Sequence, residues 1–201
     1  MFLLHGWMAT ADLNWFTAYE SVGRHFRVVA MDHRGHGRGI RQRRPFGIND
    51  CADDVVAVAD ALGIERFVTV GYSMGGAIAQ TTWHRHPERV SGMVLCATSR
   101  SFGRRATDRV LFASMLGLSV AARLVPNNVR RQAFDRATSS RVAGRPIAEW
   151  GAAEIRRNDP SVVLQAGWSI GRFTSHKWIK DIDIPTAVVL TTLDSLVNPA
   201  R

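Results

Sequence analysis

The sequence predicts an α/β fold with a mostly parallel central sheet, flanking helices and a helical cap insertion. Three observations carry this. Short apolar or β-branched runs alternate with stretches of helical period. The runs are apolar at successive positions, the pattern of parallel strands covered on both faces. One interval of about eighty residues, 99–181, breaks the alternation and reads as helix after helix. The chain therefore divides into residues 1–98 as the first part of the core, 99–181 as a helical cap, and 182–201 as the return to the core. With 201 residues, 46% hydrophobic and 21% charged, it has the composition of one globular domain.

In chain order, Phe2-Leu3-Leu4 is a first apolar run that stops at His5-Gly6. Trp15, Phe16, Tyr19 and Val22 then recur at helical spacing. Residues 26–31 are β-branched and apolar and end at Asp32, before a Gly-rich loop. Asp50 is placed to cap a helix carrying Val55, Val56, Val58, Ala59 and Leu62, which Gly63 ends. Residues 66–70 form the next strand pattern. A helix over 74–86 follows and is stopped by Pro87. Residues 90–96 and 185–190 read as two further strands. Between them the periodicity predicts helices over 104–125, 129–137, 146–157 and 161–178.

The segment that carries chemistry is Gly71-Tyr72-Ser73-Met74-Gly75-Gly76, between a strand and a helix. A turn this tight needs residues without side chains two before and two after the serine. The serine then stands exposed at the carboxyl end of the sheet, over the positive end of the helix that follows. Ser73 is thus a candidate nucleophile.

With that motif in place, the chain resembles the α/β-hydrolase family along nearly its whole length. Leu3-Leu4-His5-Gly6-Trp7 looks like that family's strand into the His-Gly oxyanion loop. Asp32-His33-Arg34-Gly35-His36-Gly37-Arg38 is similar to its D-x-R-G-x-G-x turn. Residues 71–76 match its G-x-S-x-G-G elbow. Val188-Val189-Leu190-Thr191-Thr192-Leu193-Asp194 is similar to the strand and loop that deliver the acid. The resemblance implies that Ser73 attacks a carbonyl, and that Asp194 orients a general-base histidine. The backbone N–H groups of Trp7 and Met74 would form the oxyanion hole, with His5, Gly6, Gly71 and Gly75 as structural support. It also implies a serine hydrolase of the carboxylesterase or lipase type, acting on a small hydrophobic ester without cofactor or metal. Ser rather than Asp at position 73 speaks against the dehalogenase and epoxide-hydrolase branches, which need a carboxylate there.

One member of the catalytic set has no candidate. In the family the base lies some tens of residues beyond the acid, whereas seven residues follow Asp194 here. His5 belongs to the oxyanion loop, and His33 and His36 flank Gly35 in a turn. His84 and His86 are two apart on a helix and point in different directions; His25 precedes a strand and His176 lies in the cap. At the front, Met1 falls within the family's third strand. The expectation is an interior piece of the fold, with exposed sheet edges prone to aggregation. The alternative to the enzyme is a non-catalytic remnant or binding protein of the same fold.

Other features exclude more than they identify. The formal charge is +9, and all but two of the 26 basic residues (Lys177, Lys180) are arginines. They are spread along the chain rather than clustered as nucleic-acid binding requires. Cys51 and Cys96 make no disulfide framework. No signal peptide is apparent, and the apolar stretch 110–122 is too short to span a membrane, so a cytoplasmic protein is expected. That stretch is read as the cap face roofing the pocket.

Overall fold

The computed structural model describes residues 1–41, 44–103, 106–138 and 147–191. Its centre is a parallel sheet of five strands: β1 (Phe2–Leu4), β2 (Val29–Met31), β3 (Phe67–Tyr72), β4 (Val90–Cys96) and β5 (Thr186–Val189). They lie in the order β2-β1-β3-β4-β5, with Leu4 beside Gly71, Tyr72 beside Cys96 and Cys96 beside Val189. The chain steps outward from β1 to β2, then returns past β1 to lay down β3, β4 and β5. The order therefore reverses between β1 and β3. In open α/β sheets the crevice beyond the carboxyl ends of such a pair is where ligands bind.

The crossovers are α1 (Ala11–Trp15) with α2 (Tyr19–Gly23), then α3 (Ile48–Ala61) and α4 (Met74–Arg85). Among the described residues between β4 and β5 stand α5 (Ala106–Leu124), α6 (Asn127–Thr138), α7 (Ala148–Arg156) and α8 (Pro160–Arg172). The main core lies between the sheet and α3, α4 and α8. Phe2, Leu4, Val55, Phe67, Ile78, Val90, Met93, Val162 and Ile170 meet there, and the Phe2 and Phe67 rings lie 4.6 Å apart.

Several boundaries differ from the sequence reading. The single helix expected around residues 15–22 is two short ones. Thr10 caps the first by accepting from the Leu13 N–H at 3.1 Å. The strand expected over 26–31 is confined to Val29–Met31, leaving Phe26 exposed. Asp50 does not cap α3 from outside. Gly47 occupies that position, and the Asp50 carboxylate reaches back to the Gly47 N–H at 2.7 Å. The helix expected over 161–178 starts under Asp159, which accepts from the Ser161 N–H, and stops at Arg172. The chain then turns extended at Phe173, bridges Ser101 through Thr174, and forms a single 3₁₀ turn at Ile179–Asp181.

The apolar stretch 110–122 lies within α5 and faces two ways. Met115 is buried, while Val110, Leu111, Leu118 and Val120 are exposed. Strand β5 forms one edge of the described sheet, where the sequence reading expected exposed edges, and Val188, Val189 and Leu190 are 61%, 50% and 59% exposed. Among the described residues no helix is long and apolar enough to cross a membrane.

Candidate active site

The turn from β3 into α4 has the geometry that its glycines predicted. Ser73 takes φ +52° and ψ −112°, a left-handed conformation that a side-chain-bearing residue adopts only where its surroundings enforce it. Those surroundings are close backbone. A Cβ at Gly71 would collide with the Gly75 carbonyl, and one at Gly75 with the Leu4 carbonyl. The Ser73 N–H donates to Cys96 O at 3.0 Å. Its carbonyl accepts from the Gly76 N–H at 2.9 Å and from Thr98 Oγ1 at 2.7 Å. The Ser73 hydroxyl has no hydrogen-bond partner among the described residues.

Across the order reversal, the loop after β1 runs beside this turn. The Gly6 N–H is taken by Asn14 Oδ1 at 2.7 Å. The N–H groups of Trp7 and Met74 have no acceptor among the described residues. Met74 is buried and begins the twelve-residue α4, so its N–H lies at the positive end of that helix.

His5, His33 and His36 form a fully buried cluster, with ring centroids 4.2 Å (His5–His33) and 5.3 Å (His5–His36) apart. His5 Nδ1 lies 2.8 Å from Gly6 O, and its Nε2 accepts the His33 N–H at 3.0 Å. That pairing fixes a neutral ring with its proton on Nδ1. Burial lowers the His5 pKa to about 4 and that of His36 to about 3; it also pushes His33 well below the usual imidazole range. Both His5 nitrogens are thus engaged by backbone. His84 stacks on Trp178 at 4.2 Å, and His86 Nε2 lies 2.9 Å from Asp53. Eleven residues along α4, His84 is about 16 Å from Ser73 in helical rise. His176 is hydrogen-bonded to Ser101 Oγ at 3.3 Å. No contact among the described residues joins a histidine to Ser73. Asp194, the acid expected from the sequence, lies outside the described residues, although the strand leading to it is β5 as expected. No group of three or more metal-ligating side chains is found among the described residues.

Sequence reasoning missed Asn14, Thr98 and Asn158, which hold the two turns from outside their motifs. Each is an ordinary polar residue in the sequence, and the Asn158 contacts depend on a fold that brings it 150 positions back along the chain.

A strand-turn-helix with a left-handed serine at the carboxyl edge of a parallel sheet, beside a His-Gly loop, defines a hydrolase scaffold. The family model for the alpha/beta hydrolase fold matches residues 1–143, and the chain belongs to that family. A putative carbamate hydrolase of Agrobacterium fabrum is 35% identical over 94 residues, 46% of this chain and 36% of that protein. Epoxide hydrolase B of Mycobacterium tuberculosis is 35% identical over 98 residues, 46% of this chain and 26% of that one. The matched stretch thus spans about a third of these relatives or less. A thermophilic esterase from Thermogutta terrifontis superposes with a TM-score of 0.78 at 21% identity, covering 99% of this chain and 73% of the other. The chain shares its fold with that esterase, and its sequence relatives are hydrolases.

Proposed function

We propose that the protein is a serine-dependent hydrolase that cleaves a small hydrophobic ester through an acyl-enzyme. The observation that carries this is the left-handed Ser73 at the head of α4, with two unengaged N–H groups, Trp7 and Met74, in the adjoining turns. Ser73 Oγ attacks the ester carbonyl and passes its proton to a histidine base that Asp194 orients. The oxygen that gains charge is met by the Trp7 and Met74 N–H groups. Collapse of the tetrahedral adduct breaks the C–O bond, and the alcohol leaves with the proton. Water then hydrolyses the acyl-Ser73 ester and returns the proton to the serine. Residues 99–181 act as a cap over this site. The serine at position 73 favours acyl transfer over the chemistry named for the epoxide-hydrolase relative. The two free thiols, Cys51 and Cys96, suit a cytoplasmic protein.

The test is p-nitrophenyl butyrate turnover and fluorophosphonate labelling, each compared with Ser73→Ala. Turnover that falls on the order of 10⁴-fold in the variant, with loss of labelling, supports the proposal. Turnover that survives Ser73→Ala refutes it.

The second reading is a non-catalytic binding protein of the same fold. It is favoured by the engagement of His5 with its own loop and by the absence of a histidine contact to Ser73 among the described residues. A protein that folds, neither turns over the ester nor takes the fluorophosphonate, and behaves identically as Ser73→Ala is its signature.

A further inference from the structure

The loop that carries the Trp7 N–H is fastened to the helical insertion rather than to the sheet alone. Three consecutive attachments run in register. The Trp7 indole Nε1–H donates to Val163 O at 2.8 Å, Asn158 Nδ2 donates to Met8 O at 3.1 Å, and Thr10 Oγ1 donates to Glu154 Oε2 at 2.8 Å. All three partners lie in the short stretch that ends α7 and begins α8. Thr10, Glu154 and Asn158 are fully buried or nearly so. The Trp7 ring packs so closely on α8 that a Cβ at Gly167 would sit 2.8 Å from its Cζ2. Asn158 also accepts the Gly37 N–H at 2.9 Å and donates to Ile155 O at 3.0 Å, so its amide joins the loop after β1, the turn after β2 and α7.

Met8 gives these attachments a purpose. It holds φ +65°, a left-handed conformation that methionine does not choose unaided. Its carbonyl is the group that Asn158 holds. The peptide bearing the Trp7 N–H is therefore bracketed, by Asn14 on Gly6 before it and by Asn158 on Met8 after it. We propose that Asn158 is a positioning residue for acyl transfer: by pinning Met8 in its left-handed conformation, it aims the Trp7 N–H at the developing oxyanion. This rests on the reaction proposed above. It makes the α7–α8 stretch part of the catalytic frame and not merely a cover over it. A ligand that shifts α8 then shifts the oxyanion donor as well.

The experiment compares wild type, Asn158→Ala, Met8→Gly and the double variant, by steady-state p-nitrophenyl butyrate kinetics and by hydrogen exchange at residues 7–9. Asn158→Ala is expected to lower kcat about 10- to 100-fold, with KM within about twofold, because the donor is lost only in the transition state. Glycine takes the left-handed conformation freely. The double variant is therefore expected to recover part of the lost kcat, a rescue that a merely structural role for Asn158 does not give. An unchanged kcat in Asn158→Ala, or no recovery in the double variant, overturns the proposal. If Asn158→Ala does not fold, Asn158→Asp takes its place, keeping an oxygen for the Gly37 N–H and losing the donor to Met8 O. A several-fold fall in kcat at constant KM then supports the clamp, and an unchanged kcat overturns it. Wild type without Ser73-dependent turnover refutes the reaction instead. Hydrogen exchange then decides the clamp, which stands if Asn158→Ala speeds exchange at residues 7–9 and falls if exchange is unchanged.

Discussion

Lowering the pH from 7.5 to 5.0 is expected to destabilise this fold steeply, because it buries three imidazoles in contact. In the folded chain His5 titrates at about 4 and His36 at about 3, and His33 is also held well below its usual value; burial is the first cause for each. His36 faces Asp32, which favours its charged form, and Arg41 and His5, which oppose it. His5 Nε2 lies 4.0 Å from Asp32 Oδ1, yet it already accepts a backbone N–H, so a proton there must displace that bond. The sign follows from linkage. Between about pH 6.5 and the lowered values the unfolded chain binds protons that the folded chain refuses, so stability is full above pH 6.5 and falls as pH drops. At pH 5 each of His5 and His36 contributes a loss of about 2 kcal/mol, or about 4 kcal/mol together. With a urea slope of about 2 kcal/mol/M, the midpoint moves down by about 2 M. Asp53 and Asp159 do not enter this window, because hydrogen bonds and nearby cations hold their pKa values below the ordinary carboxylate range. The assay is urea unfolding followed by far-UV circular dichroism at pH 7.5, 6.5 and 5.0, with His36→Asn in parallel. In the variant the fall between pH 7.5 and 5.0 is expected to shrink by about 2 kcal/mol. Equal midpoints for wild type at pH 7.5 and 5.0 would refute the reasoning.

Three further outcomes follow from the packing. Asp54→Ala removes the carboxylate that the half-buried Arg34 guanidinium reaches at 2.6 and 2.5 Å; a loss of about 2 kcal/mol is expected by chemical denaturation at pH 7.5. Gly75→Ala sets a methyl group against the Leu4 carbonyl. It is expected to disorder the turn at Ser73, read as lost fluorophosphonate labelling even where circular dichroism shows the fold retained. Val188→Lys with Leu190→Lys charges the exposed strand edge, and is expected to lower light scattering on concentration without lowering the urea midpoint.

How far the sequence could be read depended on how local each cause was. The strands of the sheet were legible because parallel strands are buried on two faces and so appear as unbroken apolar runs. The turn at Ser73 was legible because backbone crowding at positions 71 and 75 admits only glycine, and that constraint is written in neighbouring residues. The start of α3 was misplaced for a related reason. Asp50 suits a capping role in either of two positions, and only the Gly47 backbone decides between them. The exposure of the outer face of α5 was not legible: hydrophobicity records what a segment can bury, not what covers it. Asn158 and Glu154 were beyond reach altogether. Their partners are separated from them by 150 and 144 positions, and nothing in the local sequence sets them apart from surface polar residues.

The arrangement of the sheet explains why the site needs such distant support. Strand order reverses between β1 and β3, the place in an open α/β sheet where the loops at the carboxyl ends leave in opposite directions and a ligand crevice is expected. The register that places Leu4 beside Gly71 brings the His-Gly loop level with Ser73. The sheet fixes only the roots of the two loops. The turn after β3 is braced by β4 through Cys96 and by Thr98 just beyond it. The loop after β1 runs away from the sheet, and its neighbour β2 offers it only His33 and Asp32, through His5 and Ala11. Its other anchors are Asn14 of α1, on the Gly6 N–H, and the insertion between β4 and β5, through Glu154, Asn158 and Val163. Substitutions at Glu154 and Asn158 therefore loosen the loop after β1 without touching the turn at Ser73, which Cys96 and Thr98 hold from the other side.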